Sequence, residues 1–325
     1  MVLASSNEEL LRSAEFTTQG ECMSLHRLSY VHVAVSAYDE FRDFYRRFGL
    51  DETSPGRFAS THGGEQLRVE RGHVNQVLEI GIGADAPEDV ADVAERCRAR
   101  GFEPVEGGGE VGVVEPVTGV HIRVRVEDRV PPEPYVASAP RVDRGQLVAR
   151  SRVSPRRLGH MVLGCTDVDA ANDFFITCLG MRRSDEVIGA VFLRFDTDHH
   201  NLALLRSSHT WLHHMAWKVG SVDDVGYGAM QLIDSDPAHD VYGLGRHAAS
   251  ANYFWYLRDP AGSLAEYYHS EFDDLVEDAA FWDPDPAQDP MPVASWGPQL
   301  PGDFFAPSSP APRRVTTAVE SGTSE

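Results

Sequence analysis

RLSYVHVAVSAYDEFRDFYRRFG (residues 27–49) and RLGHMVLGCTDVDAANDFFITCLG (residues 157–180) are two versions of one pattern, and their repetition predicts the fold. Each stretch begins with an apolar run typical of a strand and continues through a short loop that contains aspartate. A helix with a stripe of phenylalanine or tyrosine follows and ends at glycine, a common helix stop. The two halves of the chain therefore begin with the same strand–loop–helix unit.

A second strand–helix unit follows in each half of the sequence. It is VNQVLEIGIGADAPEDVADVAERCRARG (74–101) in the first half and LHHMAWKVGSVDDVGYGAMQLID (212–234) in the second. Both units continue into short strands, VHIRVRV (120–126) and NYFWYLRDPAGSLAEYYHS (252–270). Because internal repetition is a strong clue to architecture, the sequence predicts four copies of one strand–helix–strands unit, two per half, and an α+β fold.

Composition shifts along the chain divide it into five predicted regions. The segment between the two halves carries prolines and little periodicity, and the C-terminal region is rich in proline and aspartate, with interspersed aromatic residues that favour partial packing on the body. The far end of that tail has the composition of a disordered segment. The predicted regions are a mobile leader (1–25), an N-terminal domain (26–135), a linker (136–155), a C-terminal domain (156–272) and the tail (273–325).

Charge and cysteine content limit the classes of partner and compartment. The formal net charge of the 325 residues is −21, which argues against a nucleic-acid or anionic-membrane partner because both would be repelled. The four cysteines form no CxxC pair, as expected for reduced thiols in a cytoplasmic protein. No apolar run approaches the length of a membrane helix, and the N-terminal residues lack the apolar core of a secretory signal.

Three polar residues interrupt the predicted strands of the second half at corresponding points. They are His160, His214 and Glu266, with gaps of 54 and 52 residues. Two imidazoles and one carboxylate on three strands form a facial triad with open positions, a ligand set that suits Fe(II) and dioxygen chemistry. A lone histidine in a strand is more often an ordinary core or surface residue. The hypothesis of a metal site therefore depends on all three residues lying at corresponding points of the repeated units. At the matching positions the first half has Tyr30 and Arg123, and arginine does not bind metal.

Histidine also occurs as a neighbouring pair at His213 and His214. Successive side chains of a strand point to opposite faces, so alternation lets only one of the two face a given pocket. The strand pattern alone does not say which one.

Further polar residues in the second half are candidates for the same pocket. His199 and His200 stand at a predicted strand start, and His247 lies in GLGRHAAS. The turn signal DPAG predicts a hairpin that places Tyr256 beside Glu266 on one face. Each residue also has an ordinary interpretation as a core aromatic, a loop residue or a solvated pair.

The chain resembles the type I extradiol catechol dioxygenases of the vicinal oxygen chelate fold. The resemblance covers about residues 27–272 and is strongest in HHNLALL, HHMAWKVGSVDDVG and GLGRH…YFWYLRDPAGSLAEYY. The spacing from His247 to Tyr256 to Glu266 matches that of the family. This resemblance implies four βαβββ modules in two domains, each an incomplete mixed β-barrel with flanking helices.

The resemblance also implies an activity and roles for individual residues. It implies extradiol (meta) cleavage of a catechol with insertion of O2, to give a hydroxymuconic semialdehyde-type product. His160, His214 and Glu266 would bind Fe(II), with Mn(II) as the other candidate, and His213 would face the other layer or solvent. His200 would be the acid–base residue, while His247 and Tyr256 would hydrogen-bond the catechol.

Three departures from the family pattern bear on the substrate. Biphenyl-type enzymes have an asparagine where this chain has Ala249, and homoprotocatechuate-type enzymes have arginine and asparagine where it has Tyr242 and Val162. These changes favour an apolar or bulky catechol over one that carries a carboxylate. The alternatives are another metal-dependent enzyme of the fold and a binding protein for a small aromatic. We also expect a homo-oligomer, since edge strands of such sheets often associate.

Overall fold

The computed structural model describes residues 24–130, 152–187, 189–270 and 293–307. Most of the predicted leader and most of the predicted linker lie outside these residues. So does the predicted tail, except for residues 293–307. Some residues of those regions are nevertheless described and buried, among them Leu25 in the first strand, Val153 in the core and Phe304 of the predicted tail. Among the described residues, no helix is long and apolar enough to cross a membrane.

The first half contains eight strands and two helices in the order of two successive units. The first unit comprises β1 (Leu25–Val35), α1 (Tyr38–Arg47), β2 (Asp51–Ser54), β3 (Arg57–Ser60) and β4 (Gly64–Arg71). The second comprises β5 (Gln76–Ala84), α2 (Pro87–Ala99), β6 (Val105–Gly107), β7 (Glu110–Val114) and β8 (His121–Val126). Their strands form one sheet in the order β2-β3-β4-β1-β5-β8-β7-β6.

The second half repeats this arrangement. Its first unit comprises β9 (Arg157–Cys165), α3 (Val168–Leu179), β10 (Arg182–Val187), β11 (Ala190–Arg194) and β12 (Leu202–Arg206). Its second comprises β13 (Trp211–Lys218), α4 (Val222–Ser235), a short 3-10 helix (Pro237–His239), β14 (Asp240–His247), β15 (Tyr253–Arg258) and β16 (Leu264–His269). The sheet runs β10-β11-β12-β9-β13-β16-β15-β14-β17, where β17 (Ala294–Trp296) comes from the predicted tail.

Strand pairing confirms the predicted four βαβββ units and the mixed, open sheets. In each unit the first strand runs parallel to the last, as β9 does with β12 and β13 with β16. The first strands of the two units then pair antiparallel at the centre of each sheet, β1 with β5 and β9 with β13. The centre of the second sheet therefore brings together β9, β13 and β16, the strands that carry the three predicted ligands.

Local sequence explains where helix α3 begins and ends. The side chain of Asp167 accepts a hydrogen bond from the backbone N–H of Ala170, which caps the first turn. The helix ends at Gly180, whose φ of 73° lies in the left-handed region that glycine adopts without a Cβ clash. Both signals were visible in the sequence repeat.

One continuous apolar core joins the two halves. The rings of Phe48 and Tyr267 stack with centroids 3.9 Å apart, and the Tyr267 hydroxyl donates to the Phe48 carbonyl. Gln66, from the first half, accepts a hydrogen bond from the backbone N–H of Leu158 at the start of β9. The first half therefore supports the strand that carries His160.

Asp259 lies where the first half meets the turn between β15 and β16, and it should make stability depend on pH. Burial raises the pKa of Asp259 to about 7, although Ala261 N–H and the Tyr45 hydroxyl donate to its carboxylate. A carboxyl whose folded pKa lies above its unfolded value destabilises the fold as pH rises from about 4 to about 7. We expect Asp259→Asn to be more stable than the wild type by roughly 2 kcal/mol at pH 8, and much less so at pH 4.

Urea unfolding of both proteins at pH 4, 6 and 8 measures this difference. Asp169→Asn is the matched control because it makes the same exchange at a side chain that is 85% exposed. A stability difference for Asp259→Asn that stays constant from pH 4 to pH 8 would contradict the prediction.

Candidate metal centre

The three predicted ligands lie on three adjacent strands of the second sheet. Ala216 of β13 pairs with His160 of β9 on one side and with Glu266 of β16 on the other, and His214 is two residues earlier on β13. The Nε2 atoms of His160 and His214 lie 3.2 and 3.4 Å from Oε2 of Glu266. One ligand atom from each of the three residues lies within 4.8 Å of the others, as binding to one cation requires.

The chemistry of these atoms fits a divalent cation. Glu266 is completely buried, and its Oε1, like Nε2 of His214, has no hydrogen-bond partner among the described residues. Burial alone would raise the pKa of Glu266, but the imidazoles of His160, His247 and His214 hold it well below the ordinary value. Burial also lowers the pKa of His214 well below its ordinary value, so its imidazole is neutral and can donate a lone pair.

The family resemblance implied that His213 faces the other layer or solvent. The structure does not agree with this expectation. In the pairing of β13 with β9, Leu212 faces Leu163 and His214 faces Val162, which leaves His213 as the extra residue of a β-bulge. The bulge interrupts the alternation, so the rings of His213 and His214 lie beside each other with centroids 4.9 Å apart. His213 is only 1% exposed.

A chain of hydrogen bonds through His213 fixes the orientation of His214. Nε2 of His213 donates to the carbonyl of Phe304, at 2.9 Å, so its Nδ1 is left as an acceptor. That Nδ1 lies 2.6 Å from Nδ1 of His214, which must therefore carry the shared hydrogen. The consequence is that Nε2 of His214 keeps its lone pair and faces Glu266.

The predicted hairpin places Tyr256 as expected. Tyr256 pairs directly with Glu266 across β15 and β16, and its hydroxyl lies 2.9 Å from Nε2 of His247. Nδ1 of His247 donates to the carbonyl of Val293, at 3.0 Å, just before β17. Burial, followed by the charge of Glu266, raises the pKa of Tyr256 well above its ordinary value, so its hydroxyl stays protonated as a donor.

His200 closes one side of the centre. Its ring centroid lies 4.0 Å from that of His160, and both residues line a cleft with His199, Asn252 and Tyr268. Burial lowers the pKa of His200 well below its ordinary value, helped by the neighbouring imidazoles, so the side chain is neutral. The structure thus brings all six predicted site residues into one neighbourhood.

The corresponding positions of the first sheet hold an ion pair. Tyr30 and Arg123 both pair with Gly81, as His160 and Glu266 both pair with Ala216, so the predicted equivalence of these positions is confirmed. Glu79, two residues before Gly81, takes the place of His214. Its carboxylate accepts from the Tyr30 hydroxyl at 2.5 Å and from two nitrogens of Arg123 at 2.9 and 3.0 Å.

The sequence did not reveal the groups that orient the histidines of the site through hydrogen bonds. The strand pattern gave no sign of the bulge at His213, and backbone carbonyls such as those of Val293 and Phe304 leave no sequence signature. The aromatic residues of the tail were the available signal. Phe304 is buried against Tyr256 and His213, whereas Trp296 and Phe305 are about half exposed.

Comparison with known proteins places this fold and site in a class. Residues 157–267, the part that holds all three predicted ligands, match the profile of the Glyoxalase/Bleomycin resistance protein/Dioxygenase superfamily. Metapyrocatechase 2 of Cupriavidus necator is 35% identical over 230 residues, which are 66% of this chain and 71% of that protein. The 3-methylcatechol 2,3-dioxygenase of Pseudomonas putida is 28% identical over 265 residues, 75% of this chain and 90% of that one.

A solved structure shows the same fold over most of the chain. Homoprotocatechuate 2,3-dioxygenase from Brevibacterium fuscum superposes with a TM-score of 0.69 at 18% identity, covering 89% of this chain and 93% of that one. The chain belongs to the extradiol catechol dioxygenase family within that superfamily.

Proposed function

We propose that the protein cleaves a catechol ring beside its two hydroxyl groups and inserts both atoms of O2, giving a hydroxymuconic semialdehyde-type product. The observation that carries this proposal is the convergence of the ligand atoms of His160, His214 and Glu266 beside a cleft that His200 also lines. The likeness to metapyrocatechase 2 supports the same reaction class.

His160, His214 and Glu266 would hold Fe(II), with Mn(II) as the other cation that suits this donor set. A bound divalent metal of this type supplies an acidic site for the catechol oxygens and the redox step with O2. The protein supplies two imidazole ligands and one buried carboxylate, which would leave one of the two positive charges of the cation uncompensated. That charge favours binding of the catechol as an anion.

Three further residues act on the substrate in this proposal. Neutral His200 accepts a proton from a catechol hydroxyl and returns it later in the reaction, for which an imidazole is suited. Tyr256 and His247, which lie within hydrogen-bond distance of each other beside Glu266, orient the catechol oxygens. Burial of the site excludes water from the reaction.

The residues around Tyr256 support an apolar substituent on the catechol. A second apolar cluster lies there, formed by Tyr242, Phe254, Tyr256, Leu264 and Phe304. Tyr242 is 3% exposed and stacks parallel to Tyr256, at 6.2 Å between centroids, where homoprotocatechuate-type enzymes have arginine. A carboxylate on the substrate gains no positively charged partner from this side chain.

Oxygen uptake tests the proposed function. Protein loaded anaerobically with Fe(II) should consume one O2 per catechol and form a yellow product when air is admitted. The panel should include catechol, 3-methylcatechol, 2,3-dihydroxybiphenyl and 3,4-dihydroxyphenylacetate, and we expect the last to be the poorest substrate. Loading with Mn(II) in parallel identifies the working metal. Metal-loaded protein that binds these catechols without consuming O2 would refute ring cleavage and favour a binding protein or another enzyme of the superfamily.

A further inference from the structure

Asp185 and His199 adjoin His200 at one edge of the cleft, which His199 also lines. Asp185 is on β10 and His199 directly precedes His200 at the start of the segment leading into β12. Their side chains are only 7% and 10% exposed, respectively. Neither residue belongs to the predicted ligands or to the groups proposed to touch the catechol, so their burial beside His200 requires another explanation.

The three side chains form a linear series of contacts. Oδ2 of Asp185 lies 2.5 Å from Nε2 of His199, and Nδ1 of His199 lies 3.0 Å from Nδ1 of His200. The His199 and His200 rings are nearly perpendicular, at 89°, and the ring of Phe192 contacts both with centroids 5.4 and 4.9 Å away. Packing and hydrogen bonds therefore fix the angle between the two imidazoles.

The neighbouring carboxylate, Asp198, does not have this role. Although Asp198 also lines the cleft, its two oxygens accept from the guanidinium of Arg157 at 2.7 and 2.6 Å. Asp185 is thus the carboxylate that orients His199.

Hydrogen-bond chemistry then determines which nitrogen of His200 carries the hydrogen. The carboxylate of Asp185 serves as the acceptor, so Nε2 of His199 donates to it and Nδ1 of His199 is left with a lone pair. Nδ1 of His200 must donate to that lone pair, since two lone pairs facing each other at 3.0 Å would repel. A neutral His200 with its hydrogen on Nδ1 has its lone pair on Nε2, at the far edge of the ring.

We propose that Asp185 and His199 are positioning residues that hold His200 in the tautomer protonated at Nδ1, so that Nε2 faces the cleft as a proton acceptor. This inference rests on the proposed function for its consequence in catalysis, but the tautomer itself is independent of the reaction. The tautomer protonated at Nδ1 is the minor form of a free histidine side chain. His200 therefore needs a hydrogen-bond acceptor next to its Nδ1 to adopt this form, and His199 supplies it.

Substitution of His199 tests the proposal. His199→Phe keeps the ring against Phe192 but removes the acceptor, and we expect kcat to fall about 10- to 100-fold with KM within about twofold, the size of effect typical of residues that orient a functional histidine. His199→Asn presents an amide oxygen near the position of Nδ1 and should restore kcat to within about threefold of the wild type. The matched control is Glu186→Gln, an acid on the same strand that pairs with Arg183 and should leave kcat unchanged.

Nitrogen-15 NMR of the Zn(II)-loaded protein reads the tautomer without turnover. We expect the His200 signals, assigned by their loss in His200→Gln, to show a hydrogen on Nδ1 in the wild type and in His199→Asn, and on Nε2 in His199→Phe. A hydrogen on Nε2 of His200 in the wild type would overturn the proposal, as would a His199→Phe protein with unchanged tautomer and kcat. If His199→Phe fails to fold, the nitrogen-15 spectra of the wild type and of His199→Asn still test the proposed tautomer of His200. Lack of turnover with every catechol would instead count against the proposed function.

Discussion

Glu266→Gln is expected to abolish metal binding at micromolar metal and to reduce ring cleavage by at least about 100-fold, the upper range for perturbed metal sites. The substitution preserves volume in a fully buried position but removes the negative charge that balances the cation. A neutral amide oxygen is a far weaker ligand than a carboxylate, and the two imidazoles alone would hold a divalent cation only weakly. Metal content after dialysis and O2 uptake are the direct measurements.

Thermal unfolding separates a ligand from a merely structural residue. A metal that binds only the folded protein stabilises it by about 2.7 kcal/mol at a concentration 100 times its Kd, so Fe(II) should raise the Tm of the wild type. The same addition should not raise the Tm of Glu266→Gln. Glu79→Gln, which changes the carboxylate of the corresponding cluster in the first sheet, is the matched control and should keep the full metal-dependent rise. Full metal occupancy in Glu266→Gln would remove this residue from the ligand set.

His200→Gln should reduce kcat by about 10²- to 10⁴-fold, the usual contribution of a general acid–base group, while metal content and KM change little. Glutamine keeps a polar side chain of similar reach next to His160 but cannot exchange a proton near neutral pH. Single-turnover reactions with the catechol already bound should show that the slowed step follows substrate binding.

His209 offers a control for this experiment, since it lies in the loop between β12 and β13 and is not among the proposed site residues. His209→Gln should therefore behave as the wild type. Unchanged kcat in His200→Gln would remove His200 from the mechanism and would leave the metal site without its proposed base.

The sequence was sufficient to predict the repeated units and the three candidate ligands, for a physical reason. Repetition of strand–loop–helix patterns places His160, His214 and Glu266 at comparable points of neighbouring strands, and a sheet has few ways to arrange such repeats. The DPAG turn likewise fixes the register of Tyr256 against Glu266, because a short hairpin permits almost no slippage.

Irregular features of the backbone set the limit of that prediction. A β-bulge adds one residue to one strand, and nothing in HHMAW marks His213 as that residue. The contact of Asp185 with His199 spans 14 residues and depends on the side-chain directions of two segments. Carbonyl acceptors such as that of Phe304 are present at every position of a chain, so only the folded path of the tail selects one.

The Tyr30–Glu79–Arg123 cluster of the first sheet has a consequence for the protein when it lacks metal. Arg123 is a permanent positive charge beside Glu79, so this sheet neutralises its carboxylate with a side chain. The second sheet has the proposed metal ligands at the same positions. We therefore expect the first half, which supports β9, to stay folded when the metal is removed, so that a cation can bind again without refolding of that half.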